Sequence, residues 1–322
     1  MGQQVIGIIG GGLMGHGMAY LFAAAGYQVG VYEPDAGSRA SLPGRWRQIL
    51  ELFEDESRLL DRIMVHSRLA PAIAGAGFVF EAAPERLAVK QQIFAELESL
   101  VSTDTVLASN SSAIPSTQIS RDLTHRERVI GTHFWNPPHL VPLVEVIQNQ
   151  WTANDVVEQM MALLRGAGKT PVHVRRDVPG FVGNRLQHAL KREAIALLAN
   201  GVCDAETIDT VVKQGLGARM AVLGPMEQSD LVGLDLTLDI ANVLYRDLDR
   251  TAGPHPFLQA KVDKGHLGMK TGEGFRKWTV FEAEAVRAEL SRFLARKAKQ
   301  ELSRIKEVAA GSSESPYGNH GR

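Results

Sequence analysis

The chain lacks most of what secreted and membrane-embedded proteins rely on. It has one cysteine, Cys203, so no internal disulfide can form and a reducing compartment is expected. No apolar run reaches the ~18–20 residues needed to span a bilayer. The N-terminus enters a strand without a basic leader, so no signal peptide is read and the expected location is cytoplasmic. An excess of one charge is also missing. Lys and Arg number 35 against 36 Asp and Glu, leaving a formal −1, which gives no footprint for nucleic acid or a membrane surface. Aromatics are few, at 6%, against 44% hydrophobic residues, so the core is aliphatic. No cluster carries zinc-ligand spacing, so no metal is expected. No internal repeat recurs at a solenoid period.

What is present alternates. QVIGII (4–9) reads as a buried strand, LMGHGMAYLFAAA (13–25) as a helix ended by Gly26, and QVGVYE (28–33) as a second strand. A charged helical stretch runs from about 44 to 64. GFVFEAA (77–83), TVLASN (105–110), RVIGTHF (128–134), LVPLVEVI (140–147) and PVHVRR (171–176) follow as strands, with helices over 87–100 and 156–169. This order predicts a mainly parallel sheet with helices on both faces. After DVPGF the apolar spacing is helical over 181–201, 205–215 and 229–248. The expected architecture is α/β: a doubly wound sheet over 1–176, an all-α C-terminal domain over 177–296, and a charged helical extension with a disordered tail over 297–322.

GGGLMG (10–15) fits G-x-G-x-x-G with Gly10, Gly12 and Gly15. It follows a strand, opens a helix, and is trailed by Glu33 at the end of the next strand, which is the context of a dinucleotide-binding fingerprint. Gly10 would allow the tight turn, Gly12 the approach of a pyrophosphate to the helix N-terminus, and Gly15 close helix–sheet packing. Glu33 would accept from the adenine ribose hydroxyls and repel a 2′-phosphate, favouring NAD over NADP. Arg39 and Arg45 read as helical surface arginines. A glycine-rich turn without a ligand is the plain alternative.

In LVPLVEVI, Leu143, Glu145 and Ile147 share one strand face, and Val144 and Val146 the other. Both faces read as buried, so Glu145 needs a partner. His133, at the end of the preceding strand, can supply one. A carboxylate that orients an imidazole and stabilises its protonated form makes a general base, although a purely structural His–Glu hydrogen bond fits the same spacing. His139, after two prolines, reads as an exposed turn residue.

The blocks GIIGGGLMGHGMA, FVFEAAPERLAVKQQIFAELE, LASNSSAIPST, GTHFWNPPHLVPLVEV, DVPGFVGNRL and GHLGMKTGEGF together resemble the L-3-hydroxyacyl-CoA dehydrogenase family from about residue 5 to 278. The resemblance implies an N-terminal Rossmann domain, a helical domain that forms a homodimer, NAD as cofactor and hydride transfer from a small-molecule substrate. It implies His133 as catalytic base and Glu145 as its partner. Ser112 and Asn184 would hold the reacting oxygen, Glu85 and Lys90 would lie near the nicotinamide-side ribose, and Asn136 would sit beside the base. For Lys90 a solvated helix charge is an equal alternative, and for Asn136 the alternative is that it only shapes the Pro-Pro turn.

Two stretches depart from the CoA-dependent members. RWRQILELFEDESRLLDRI is mixed in charge where those enzymes have a lysine-rich hairpin, and GLGARMAVLGPM (215–226) carries extra residues including Arg219. The second form resembles the branch acting on free hydroxy acids: gulonate 3-dehydrogenase with lambda-crystallin, carnitine dehydrogenase, and a pyridine-carboxylate dehydrogenase. A guanidinium fork suits a carboxylate, so Arg219 is expected to clamp a substrate carboxylate. The leading expectation is an NAD-dependent dehydrogenase of a small 3-hydroxy acid or related hydroxy-carboxylate. The alternatives are a 3-hydroxyacyl-CoA dehydrogenase and a non-catalytic NAD-binding structural protein.

Overall fold

A computed structural model describes residues 5–311 of the chain. The expected disordered tail, from Ser312 on, lies outside the described residues. Eight strands form one sheet: β1 Val5–Ile9, β2 Gln28–Tyr32, β3 Ile63–His66, β4 Ala76–Glu81, β5 Val106–Ser109, β6 Val129–Phe134, β7 Leu143–Ile147 and β8 Thr170–Val174. Their order is β3-β2-β1-β4-β5-β6-β7-β8. Every neighbouring pair is parallel except β6 and β7. The segment 135–142 between those two is too short for a parallel crossover, so they close as an antiparallel pair.

The helices of this half are α1 Gly15–Ala24, α2 Ala36–Phe53, α3 Leu69–Ala72, α4 Leu87–Leu100, α5 Ser116–Ile119 and α6 Asn154–Gly166. Alternation along the strands divides the core by face. Ile6, Ile8, Val31, Phe80, Val144 and Val146 bury on one face with Met18 and Phe22 of α1, Leu42 and Trp46 of α2, and Met160 of α6. Ile9, Val79 and Leu107 bury on the other with Leu69 of α3, Phe94 and Leu97 of α4, and Ile119 of α5. This two-faced cover is what the near-continuous apolar strands require. Each fully buried Leu or Phe contributes about 1.5–3 kcal/mol.

The charged stretch expected as helical over 44–64 is not one helix. Helix α2 ends at Phe53 with Glu54 in the left-handed region, and a 3₁₀ turn over Ser57–Arg62 leads into edge strand β3. β3 is half exposed and its four residues carry little alternation, so pairing with β2 defines it rather than pattern. The chain also groups into two compact units. One compact unit runs to Asn184 and takes in the chain from Leu290 onward, and the other is Arg185–Glu289. The expected boundaries were 177 and 297.

The second unit is helical. It comprises most of α7 Gly183–Ala199, then α8 Ala205–Val211, a π turn over Val212–Leu216, α9 Gly217–Met220, α10 Pro225–Val232, α11 Leu234–Leu244, α12 Pro256–Asp263 and the start of α13 Val280–Gly311. The helix expected over 229–248 is broken at Gly233, whose φ of 97° interrupts the ladder. Further along α13, Ala295 and Ala298 are buried, and Lys299 pairs with Glu54 at 2.8 Å in the first unit. Among the described residues, no helix is long and apolar enough to cross a membrane.

Candidate active site

The antiparallel pairing of β6 and β7 sets His133 opposite Glu145 in register. His133 Nδ1 and Glu145 Oε2 are 2.7 Å apart, and both side chains are buried. The other carboxylate oxygen, Oε1, accepts from the backbone N–H groups of Val182 and Gly183, each at 2.9 Å. Glu145 therefore also caps the N-terminus of α7, where free N–H groups favour a negative charge. Burial pushes the Glu145 carboxyl upward. The hydrogen bonds from His133, Gly183 and Val182 outweigh it and hold the pKa below the ordinary glutamate value.

Local backbone makes this possible. Gly180 and Phe181 both have positive φ, at 76° and 51°, which turns the chain so that the next two N–H groups meet Glu145. A non-glycine residue in that region costs about 1–3 kcal/mol. The Phe181 ring is 2% exposed and lies 5.6 Å from the His133 ring, and Trp135 lies 5.7 Å from it on another approach. A Cβ on Gly183 would fall 2.3 Å from Cζ2 of Trp135, so the indole packs against bare backbone.

A second charged cluster lies at the end of β4. Lys90 of α4 reaches Glu81 Oε1 at 2.7 Å and Glu85 Oε2 at 3.2 Å. Glu81 is fully buried and also accepts from Ser109 Oγ and Ala83 N, both at 2.7 Å. Lys90 is 1% exposed, which corrects the reading as a solvated helix charge. Glu85 Oε1 accepts from Ser111 Oγ at 2.5 Å, Ser112 N at 3.0 Å and Ala113 N at 3.1 Å. Burial raises the Glu85 pKa, and the Ser111 hydroxyl and the Lys90 ammonium overcome it, leaving the carboxyl below its usual range. Glu85 and Lys90 thus hold the loop that carries Ser112. Ser112 is exposed, and its carbonyl accepts from Asn184 Nδ2 at 3.0 Å. Asn184 stands in the first turn of α7, and Asn136 is exposed beside Pro137.

Glu81, Ser111 and Asp177 were not singled out in the sequence. Glu81 sits in an aliphatic strand as Glu145 does, so the same signal could have found it. Asp177 Oδ2 accepts from Thr117 N at 2.8 Å and from the Ser116 and Thr117 hydroxyls, tying the approach to Glu145 onto α5. His139 is also corrected. It is not an exposed turn residue: its ring packs among Tyr20, Phe53 and His16, and burial lowers its pKa to about 4.

The glycine loop fits a dinucleotide. Gly10 has φ 98°, and a Cβ there would meet Ala82 O at 2.8 Å. A Cβ on Gly15 would sit 1.7 Å from Gly10 O, which forbids any side chain where α1 crosses the loop. Around Gly12 there is open space, the room a pyrophosphate needs. Glu33, 8% exposed, accepts from Gly11 N at 2.9 Å and Asp35 N at 3.0 Å, which fixes its carboxylate at the end of β2. Arg39 donates to the carbonyls of Glu33 and Pro34, and Arg45 reaches Gly11 O at 3.5 Å. Arg219, in the helical unit, is exposed on α9 directly after the π turn, and among the described residues no carboxylate lies against it.

Residues 5–178 match the family described as 3-hydroxyacyl-CoA dehydrogenase, NAD binding domain, and 180–278 match the corresponding C-terminal domain. The chain is 36% identical to the 5-formyl-3-hydroxy-2-methylpyridine 4-carboxylate 5-dehydrogenase of Mesorhizobium japonicum, over 90% of this chain and 95% of that one. It is 38% identical to a probable 3-hydroxybutyryl-CoA dehydrogenase of Bacillus subtilis, over 83% and 95%. A solved pyridine-carboxylate 5-dehydrogenase, described as an NAD+ dependent dismutase, superimposes with a TM-score of 0.86 at 34% identity, covering 93% of this chain and 98% of that one. The chain belongs to the 3-hydroxyacyl-CoA dehydrogenase family and is an NAD-dependent dehydrogenase acting on CH–OH groups.

Proposed function

We propose that the chain oxidises the hydroxyl of a small hydroxy-carboxylate, with His133 as general base and Glu145 as its partner. The observation that carries this reading is the buried 2.7 Å contact between His133 Nδ1 and Glu145. With Nδ1 committed to the carboxylate, Nε2 is left to take the proton of a substrate hydroxyl. Glu145 stabilises the imidazolium that forms, and in the reverse direction that imidazolium is the acid. Ser112 and Asn184 orient the oxygen. NAD, held by Gly10, Gly12, Gly15 and Glu33, supplies the hydride acceptor. Lys90 and Glu85 support the cofactor side of the site.

A free acid is favoured over a thioester by Arg219. Its guanidinium is exposed without a carboxylate against it among the described residues, and its planar fork suits a bidentate partner. The resemblance to the pyridine-carboxylate enzyme also reaches past residue 278, where the family description stops. The test is NADH formation with 3-hydroxybutyryl-CoA against 3-hydroxybutyrate, carnitine, gulonate and an aromatic hydroxymethyl carboxylate. Preference for an acid is expected, and Arg219→Met should raise its KM about tenfold or more, the worth of a lost charge-assisted pair. Preference for the thioester, with Arg219→Met silent, would replace this reading by 3-hydroxyacyl-CoA oxidation, which the 38% identity to the Bacillus protein favours.

A homodimer through the helical unit completes the proposal. Leu236, Ile240 and Val243 of α11 share one helix face and are 49%, 47% and 72% exposed, an apolar surface that a second copy would cover. Light scattering should give twice the 35.1 kDa chain mass, and polar substitutions at Ile240 and Val243 should lower it. A monomer mass for the unaltered protein would refute this.

A further inference from the structure

Lys169 is the first unit's most isolated buried cation. It follows α6 and is 6% exposed, and among the described residues no carboxylate pairs with it. Its ammonium donates to two backbone carbonyls, Pro138 O at 2.6 Å and Val141 O at 2.9 Å. The next residue, Thr170, donates its N–H to Pro142 O at 2.9 Å as β8 begins. All three acceptors lie in the segment joining β6 to β7, the connection between the His133 strand and the Glu145 strand.

That segment is held from its other side as well. A Cβ on Gly17 of α1 would fall 2.7 Å from Pro138 Cγ and 2.8 Å from His139 Nδ1, so the turn rests directly on the helix that opens at the glycine loop. Within the turn, Leu140 N and Val141 N both donate to Pro137 O at 3.0 Å. Burying an unpaired ammonium is costly, and desolvation lowers the Lys169 pKa to about 7. A neutral side chain would fill the space without that cost. What the lysine adds is a charge-assisted grip on two carbonyls that would otherwise be buried at the foot of the turn.

We propose that Lys169 is a positioning residue for the reaction: it clamps the β6–β7 turn by Pro138 O and Val141 O and so keeps the His133 imidazole opposite the Glu145 carboxylate. The lysine touches neither partner. It acts through the hairpin, whose register sets the 2.7 Å contact. The charged and titratable groups around the turn are His139 within it, His16 and Tyr20 on α1, and Asp55 bonded to Tyr20. Asp55 is thus engaged by the tyrosine, and the lysine's grip is on the carbonyls alone.

The proposal rests on the reading of His133 as the base, and the test separates the two. Lys169→Met and His133→Gln are compared with the unaltered protein by proton NMR and by steady-state kinetics on the acid preferred in the substrate panel. A buried Nδ1–H held by a carboxylate gives a far-downfield proton signal, assigned by its loss in His133→Gln. In Lys169→Met that signal should weaken or move upfield. Its kcat should fall by as much as about 10²-fold, the scale of a catalytic group displaced by an ångström, with NADH affinity and KM little changed. If Lys169→Met does not fold, Lys169→Ala, which removes the donor and leaves room for water at the two carbonyls, carries the same comparison. A folded variant with the downfield signal and kcat intact would overturn the role of Lys169 and leave His133 as base. Normal kcat in His133→Gln would instead overturn the base, and with it what Lys169 is said to position.

Discussion

His133→Gln should lower kcat by about 10²–10⁴-fold, the usual contribution of a positioned general base, while NADH binding measured by fluorescence stays unchanged. The amide is close to the imidazole in size and can still donate to Glu145, so the buried carboxylate keeps a partner and the β6–β7 pairing survives. What is lost is an atom that can take the substrate proton. That loss equals about 3–5 kcal/mol of barrier. The contrast between an intact cofactor site and absent turnover separates chemistry from folding. The glycine loop follows β1, which is separated from β6 in the sheet by β4 and β5, so damage confined to the base leaves it alone. A His133→Gln protein that turns over normally would remove the residue from the mechanism.

Lys90→Met should cost about 3–5 kcal/mol of stability, because it leaves the Glu81 carboxylate buried without its cation. Both side chains are almost wholly enclosed, at 1% and 0% exposure, so solvent cannot screen the loss. At the few degrees per kcal/mol expected of a unit this size, the unfolding midpoint seen by calorimetry should drop on the order of 10 °C. The double variant Lys90→Met/Glu81→Gln should recover much of it, since a neutral amide can still meet Ala83 N and Ser109 Oγ. Activity should fall further than stability alone accounts for. Lys90 also holds Glu85, and Glu85 holds the backbone of Ser112 and Ala113. A single variant as stable as the parent would mean that Glu81 is protonated, or that water relieves it.

The two clusters share a design with opposite consequences. Glu145 takes its charge compensation from a group that can gain or lose a proton, and from two N–H dipoles at the start of α7. Glu81 takes its own from the Lys90 amine, the Ser109 hydroxyl and the Ala83 N–H. In the proposed reading the first arrangement exchanges a proton with the substrate, whereas the second fixes the loop that carries Ser112.

Much of this was readable from residue order. Alternating apolar strands and amphipathic helices dictated a doubly wound sheet, and the G-x-G-x-x-G between a strand and a helix, followed by Glu33, dictated a dinucleotide site. A glutamate in an all-aliphatic strand forced the question of its partner, and the strand period left His133 as the answer. What residue order could not decide depends on contacts between distant segments. Short, half-exposed β3 exists because β2 is beside it. The chain from Leu290 groups with the first unit because packing, unlike spacing, is not local. Lys90 looks like a surface charge on an amphipathic helix until β4 brings Glu81 beneath it. The positive φ angles at Gly180 and Phe181, which aim two N–H groups at Glu145, follow from the fit of Phe181 beside His133 and of Trp135 against Gly183. Residue types and periodicity encode charge and face, so the candidate groups and the faces they occupy could be read from residue order. Which charges are buried together could not be read there, because burial is a property of the whole fold.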